Sequence, residues 1–308
     1  MNPFSGLSRR EFLRAGAGGF AATTIFGAGF APLSANALGL PAGLQLYTVK
    51  DELAKDFDGA LRKVAAIGYK EVEAAGFYDK SAAEFRKSIE SAGLTLPSGH
   101  YSLQELLQGL DAKLAFAHEL GLKYVVCSFP FVANPARFHA DKYYEEIRAG
   151  ITLDDWKWNA DQFNKVGEKV KKAGMQFAYH NHNLEFRKEK GLIAFDELLR
   201  QTDAKLVKME MDIGWVASTG NDPAAYLEKY PNRFELLHVK DIRPGAPSTE
   251  GEGEGSTELG RGTIDWKKVF AAARRASIKH YFVEQEDPFL NMPVMEAIKV
   301  DYEFVSKQ

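Results

Sequence analysis

A single cysteine, Cys127, is present in 308 residues, and it sits in the apolar run Tyr124-Val125-Val126-Cys127. No internal disulfide can form, and a lone thiol among apolar side chains reads as an inert core residue. A concentrated positive face is also missing. The net charge is −3, the pI is near 6.2, and the basic residues are scattered. Binding a nucleic acid requires clustered Lys and Arg to displace counterions from phosphates, so that class of partner is disfavoured. The first apolar strand runs into Tyr47-Thr48-Val49-Lys50 with no glycine-rich turn, which removes the phosphate fingerprint of a doubly wound dinucleotide-binding sheet. With 45% hydrophobic residues the chain is not disordered, and it can bury a core as one large domain or two modest ones.

The N-terminal stretch does not read as part of the fold. Ser8-Arg9-Arg10-Glu11-Phe12-Leu13 precedes a small-residue and apolar run from Ala15 to Leu33, and Ala35-Asn36-Ala37 follows as an A-x-A cleavage pattern. The arrangement resembles a twin-arginine export signal. The alternative of a permanent membrane span is opposed by Gly16, Gly18, Gly19, Gly27, Gly29 and Pro32. Residues 1–37 are therefore expected to be a signal peptide, 38–308 a single catalytic domain, and the destination the periplasm. An exported enzyme meets few phosphorylated sugars, since these are mostly retained in the cytoplasm.

From Gly43 onward, short apolar strands alternate with amphipathic helices, the pattern of repeated βα units around a parallel sheet. Strands are expected over 44–48, 71–75, 94–98, 123–128, 175–181, 206–212, 234–239 and 280–284. Helices are expected over 51–67, 81–92, from a Ser102 cap with Glu105 completing a capping box, 158–173, 194–200, from Asn221-Asp222-Pro223, 266–276 and 293–306. Eight such units match a (β/α)₈ TIM barrel. Two connections stand out. Residues 129–156 carry Phe129, Phe131, Phe138, Tyr143, Tyr144 and Trp156, either a sugar-stacking loop or a packed surface excursion. Residues 244–262 are rich in Gly, Glu and Ser and read as a flexible loop.

Side chains two apart on a strand share a face, so His180 pairs with His182, Glu210 with Asp212, His238 with Lys240, and Glu284 with Glu286. Each pair ends an apolar run. Imidazoles and carboxylates are costly to bury unless paired or metal-bound, so four such runs point to one polar centre. In a TIM barrel that centre lies at the C-terminal strand ends. His180, Asp212, His238 and Glu284, one each from strands five to eight, are the expected ligands of a divalent ion. With nitrogen and oxygen donors, Mn, Co, Zn or Fe is favoured over a calcium-type site, and Mg remains open. His182 is open as ligand, proton shuttle or orienter. Glu210 and Lys240 are read as one step below Asp212 and His238, forming either a buried ion pair or substrate contacts. Glu73 and His100 are substrate-binding candidates on the same rim, as are Glu185, Trp215 and Glu286. His118 and His280 fall away from the rim as structural residues, and His139 is solvated.

The segments GYKEVEAAG, SGHYSL, AYHNHNLEF, MDIGWVASTGNDP, LHVKD, ELGRGTIDW and FVEQED resemble, in order and spacing, the xylose-isomerase-like barrel family of sugar phosphate isomerases/epimerases. The resemblance covers nearly all of residues 43–308. It implies one divalent metal held by strands five to eight, here mapping onto Asp212, His238 and Glu284. The family's epimerases also carry a strand-five glutamate that works opposite the strand-eight glutamate. This chain has Tyr179-His180-Asn181-His182 there and no carboxylate until Glu185. Histidine-rich strand-five motifs resemble those of the inosose dehydratase branch and of lyases acting on keto-sugars.

The sequence thus predicts an exported, metal-dependent enzyme that abstracts an α-proton from an unphosphorylated sugar or keto-sugar, as isomerase/epimerase or as lyase/hydratase. Glu284 and His182 are the expected proton-transfer groups. The expected partner is that sugar, with no nucleic acid and, after signal cleavage, no membrane; a homo-oligomer is left open. A non-catalytic periplasmic carbohydrate-binding barrel is the rival from another class, and a DNA-repair endonuclease shares the fold. Replacing Arg9 and Arg10 by lysine is expected to deplete the periplasmic fraction of cells expressing the chain; undiminished periplasmic protein counts against the twin-arginine route.

Overall fold

A computed structural model describes residues 36–139, 142–246 and 255–308. Eight parallel strands close into a barrel: β1 Gly43–Gln45, β2 Glu71–Ala74, β3 Thr95–Ser102, β4 Tyr124–Phe129, β5 Gln176–His180, β6 Val207–Asp212, β7 Phe234–Val239 and β8 His280–Val283. Each pairs with its neighbour in sequence, and β8 closes on β1 with Gly43 opposite Phe282. The helices between them are α1 Lys50–Lys55, α2 Phe57–Ile67, α3 Ala82–Ser91, α4 Leu103–Leu120, α5 Tyr143–Gly150, α6 Leu153–Lys172, α7 Ala194–Gln201, α8 Ile213–Ser218, α9 Pro223–Lys229, α10 Trp266–Ala273 and α11 Val294–Val305. The described residues belong to one compact unit, and none of their helices is long and apolar enough to cross a membrane.

Strand alternation builds two cores. Outward side chains such as Phe177, Tyr179, Met209, Met211 and Leu237 pack against the apolar stripes of the helices. Inward, Tyr124, Val126, Ala178, Leu236 and Phe282 form a separate apolar plug. Burying a large aliphatic or aromatic side chain is worth about 1.5–3 kcal/mol, so this plug gives the polar residues above it a firm, dry floor. Below it, His280 and Glu71 are paired at 2.7 Å, the structural role expected for His280.

Caps set where helices begin. Ser81 and Ser102 form capping boxes with Glu84 and Glu105, and Asp222 caps α9 with Pro223 inside its first turn. Gly121 ends α4 at φ 81°, a left-handed position that suits glycine.

The structure corrects several expected boundaries. The strand expected over 44–48 stops at Gln45, whose side-chain oxygen accepts from Tyr47 N and starts a 3₁₀ turn, Leu46–Val49. The helix expected over 51–67 is two helices, because Asp56 is extended and caps α2. Strand β3 continues to Ser102, four residues past expectation, and so carries His100. Residues 129–156 are not one loop: they contain α5, and α6 begins at Leu153 behind a Thr152–Asp155 capping box rather than at Trp158. His118 is exposed rather than structural. Most of the expected signal segment, and 247–254 of the loop expected to be flexible, lie outside the described residues. The described ends of that loop are held by a short antiparallel pair, Asp241–Ile242 with Ser256–Thr257. At the expected cleavage point Ala37 is buried, and Asn36 donates to Tyr281 Oη at 3.0 Å.

Asp301 of α11 accepts from Leu259 N at 2.7 Å beside the buried Glu258. Burial first, and the neighbouring charges of Glu258 and Asp241 next, push its carboxyl up to about 8. A raised folded-state value means that this group's contribution is fully present below the ordinary carboxylate range and lost as pH rises through about 8. Asp301→Asn keeps the accepting oxygen and is expected to flatten that loss, raising Tm at pH 9 relative to wild type. An unchanged Tm difference between pH 5 and pH 9 would contradict this placement.

Candidate active site

Above the apolar plug, neighbouring strands deliver a closed layer of polar side chains. In register, His180 stands beside Glu210, Asp212 beside His238, and Gln45 beside Glu73. His238 is fully buried, with Nε2 2.7 Å from Glu73 Oε2 and Nδ1 2.8 Å from Glu284 Oε2. His100 Nε2 lies 2.8 Å from Glu210 Oε2 and 3.1 Å from Glu73 Oε2. His180 Nδ1 approaches the same Glu210 oxygen at 3.2 Å, and Gln45 Nε2 donates to Glu73 at 3.0 Å.

The second polar group surrounds Lys240. Its ammonium lies 2.8 Å from Asp212 Oδ2 and 3.0 Å from Glu284 Oε2, contacts Glu286 Oε1, and sits over the Trp215 ring. The Ile213-Gly214-Trp215 turn makes this possible, since a Cβ on Gly214 would lie 2.8 Å from Lys240 Cγ. Asp212 also caps α8 by accepting from Trp215 N at 2.8 Å. The expected Glu210–Lys240 ion pair does not form. Lys240 follows His238 toward the C-terminal end of the barrel, while Glu210 precedes Asp212, so two layers separate them and each finds other partners.

The electrostatics follow from these contacts. Burial alone would raise the Glu284 carboxyl, but Lys240 and His238 hold it well below the carboxylate range. Burial and then Glu73 push Glu210 up to about 7. Against burial, Glu73 and Glu210 lift His100 to about 9. Burial, with Arg148 and Lys240 nearby, drives His182 well below the ordinary imidazole value, so it is neutral at pH 7.

A cavity of about 420 Å³ opens onto this layer. Of the expected site residues, His100, His180, His182, Glu284 and Glu286 line it. Glu73, Glu210, Asp212, His238 and Lys240 are fully buried and engaged with one another. Trp215 is buried against Lys240 and His182. Glu185 is a correction to the expected substrate contacts. Its carboxylate is turned to Tyr179 Oη at 2.5 Å and His182 N at 3.0 Å, because Tyr179 points outward and the turn after β5 folds back onto it. It fixes the backbone of His182 instead.

The aromatic segment divides between the two roles left open for it. Phe129 and Tyr144 line the cavity with Arg148, whereas Trp156 is buried in the core. Tyr47, Phe77, Tyr101 and Arg148 on the cavity wall were not among the expected residues. Tyr47, Phe77 and Tyr101 follow inward-facing strand residues closely, which is a usable signal; Arg148 comes from α5, which sequence periodicity did not reveal.

Two groups of donors could hold a metal: His100, His180, Glu210 and His238, and separately Asp212, His238 and Glu284. The four expected ligands are thus split between them, with His238 common to both. The residues fit a cation chemically. Glu73 Oε1 and Glu210 Oε1 are buried without hydrogen-bond partners, and imidazole with carboxylate suits a borderline divalent ion.

These features define a (β/α)₈ enzyme-type barrel with its polar centre at the C-terminal strand ends. The chain belongs to the xylose isomerase-like TIM barrel family, whose model matches residues 61–300. An inosose dehydratase from Clostridium beijerinckii is 27% identical over 79% of this chain and 87% of its own length. A second, from Geobacillus thermodenitrificans, is 25% identical over the same shares. Among solved structures, a sugar phosphate isomerase/epimerase from Parabacteroides distasonis superposes with a TM-score of 0.71 at 26% identity, covering 87% of this chain and 98% of that one. The IolI protein with a bound zinc atom shares the fold at 14% identity, with a TM-score of 0.66 over 86% and 96% of the two chains.

Breaking a buried ion pair by removing one partner costs about 3–5 kcal/mol, and Lys240 compensates three carboxylates. Lys240→Met, unfolded by urea in the presence of a chelator, is expected to lose stability on that scale at pH 8 and less at pH 5, where carboxylates can take up protons. A loss below about 1 kcal/mol at pH 8 would show that the cluster does not depend on the ammonium.

Proposed function

We propose that this chain is a metal-assisted lyase for an unphosphorylated keto-sugar, acting after export to the periplasm. The carrying observation is His182. It is a neutral imidazole on the cavity wall, its Nδ1 has no hydrogen-bond partner, and it is one of the two strand-five histidines present where an epimerase would have a carboxylate opposite Glu284.

A divalent ion held around His238, by His180, Asp212 and Glu284 or by the deeper histidines, would acidify the proton next to a ketone. The chain's own residues supply the proton transfers. Glu284, ionised by its Lys240 and His238 neighbours, or the neutral His182 takes the α-proton. The group that took the proton, now an imidazolium or a carboxylic acid, gives it to the departing β-oxygen, so the C–H and C–O bonds break, a C=C bond forms and water leaves. Two opposed carboxylates suit symmetrical epimerisation, whereas one carboxylate and one imidazole suit elimination. The dehydratase names of the relatives support this reading. Phe129 and Tyr144 provide apolar faces for a sugar ring at the cavity wall.

His238→Ala is expected to empty the metal site while leaving the fold intact, read by metal analysis and circular dichroism. His182→Ala is expected to retain metal but lose turnover by about 10²-fold or more, with keto-sugar conversion followed by NMR in D₂O. Full activity in His182→Ala would sink the proton-transfer role. Deuterium incorporation without loss of water would identify isomerisation instead.

A further inference from the structure

We propose that His100, His180, Glu210 and His238 form a divalent-cation site of their own, with three nitrogen donors and one oxygen donor, one layer deeper than the Asp212–His238–Glu284 group. The proposal rests on the metal-assisted reading above and assigns the ion to particular residues.

Three imidazole nitrogens converge on one carboxylate oxygen. Glu210 Oε2 lies 2.8 Å from His100 Nε2, 3.2 Å from His180 Nδ1 and 3.3 Å from His238 Nε2. Tetrahedral ligands about 2.0–2.1 Å from an ion stand about 3.3 Å from each other, so the donors are already near the edges of such a site. The second carboxylate, Glu73, touches both His238 and His100, so two negative charges would balance one divalent ion. Glu73 Oε1 and Glu210 Oε1 remain buried without a partner. Among the described residues, the ion pairs of His100, His180, Glu210 and Glu73 are with one another and with His238, and none is with a lysine or arginine.

The upper group differs on that point. Lys240 Nζ already stands among Asp212, Glu284 and Glu286, occupying the centre that an ion bound by Asp212 and Glu284 would take. An ion there must displace an ammonium, whereas one in the deeper group need not. His238 serves the two groups through different nitrogens, Nε2 below and Nδ1 above. His100 and His180 also line the cavity, so a deeper ion would still face a ligand there. Three imidazoles select a borderline ion such as Zn²⁺ or Co²⁺ over Mg²⁺.

The test uses the full chain, stripped with chelator, reloaded with Co²⁺, and read by elemental analysis and the visible d–d spectrum. His100→Asn removes a donor of the deeper group only, and Asp212→Asn one of the upper group only. The expected result is at least a tenfold loss of bound Co²⁺ in His100→Asn, with retention and an unchanged d–d spectrum in Asp212→Asn. Glu210→Gln, nearly isosteric, serves as the second deep variant should His100→Asn fail to fold, and the same loss is expected. Retention in the deep variants with loss in Asp212→Asn overturns the assignment, and so does loss in both, which would mean one site spanning the groups. Wild type that takes up no Co²⁺, Zn²⁺ or Mn²⁺ overturns the metal-assisted reading itself, a distinguishable failure.

Discussion

The whole site depends on one imidazole held between two carboxylates. His238 is fully buried, and its two nitrogens meet Glu73 from β2 and Glu284 from the end of β8. These strands flank β1, so a single ring from β7 ties together three parts of the barrel wall. Carboxylates are tolerated in such a place only when a positive or hydrogen-bonding group faces them. Glu73, Glu210, Asp212, Glu284 and Glu286 are all buried here, and the compensation comes from His100, His180, His238 and Lys240. The apolar plug of Tyr124, Val126, Ala178, Leu236 and Phe282 keeps water from replacing those partners from below.

Strand β7 extends this organisation into the loop that follows. His238 and Lys240 point inward, and the next residue, Asp241, gathers the loop ahead of α10. Its carboxylate accepts from Gly260 N at 2.9 Å, Gly262 N at 3.2 Å, Ile264 N at 3.3 Å and Trp266 Nε1 at 2.8 Å. A Cβ on Gly262 would lie 2.0 Å from Asp241 Oδ1, so the Gly-Arg-Gly spacing is required by the carboxylate it wraps. The LHVKD and ELGRGTIDW segments are therefore one structural device, with the strand end aiming the site residues inward while its acid pins the returning chain. Ser256, at the start of that return, accepts from Glu286 N at 3.2 Å and links the loop to the cavity wall.

Parity explains most of what the sequence disclosed. A strand period of two leaves no freedom about which of Glu210, Met211 and Asp212 face inward, and apolar runs ending in charged residues mark the catalytic end of the barrel. The eight strands follow from that, and so does the meeting of Asp212, His238 and Glu284, with His180 joining His238 in the other group. Height along the barrel axis was harder to read, because it depends on strand tilt and stagger. That is why Lys240 and Glu210, placed together by sequence, occupy different layers. Glu185 was misread for another reason: beyond His180 the chain leaves the strand, and alternation no longer says where a side chain points. The residues 129–156 concealed α5 because Tyr143–Gly150 is a short helix without a capping hydrogen bond from a side chain. Its contribution to the cavity, Tyr144 and Arg148, was hidden with it.

The strand-five histidines change the balance of charge as well as the chemistry. A glutamate at position 180 would add a sixth carboxylate beside Glu210, whose carboxyl is already pushed up to about 7 by burial and Glu73. Imidazole relieves that crowding and adds a nitrogen donor. Two residues on, burial first, and then the nearby charges of Arg148 and Lys240, disfavour a positive charge on His182 and keep the ring neutral. The same parity that places His180 beside Glu210 places His182 one step further along the cavity wall, and burial holds both imidazoles well below their ordinary value. Asn181, between them, points the other way and accepts from Asp212 N at 3.2 Å, locking β5 to β6 at the height where both histidines act. One tripeptide thus supplies a nitrogen to the buried cluster, a neutral imidazole to the cavity wall and the hydrogen bond that ties β5 to β6.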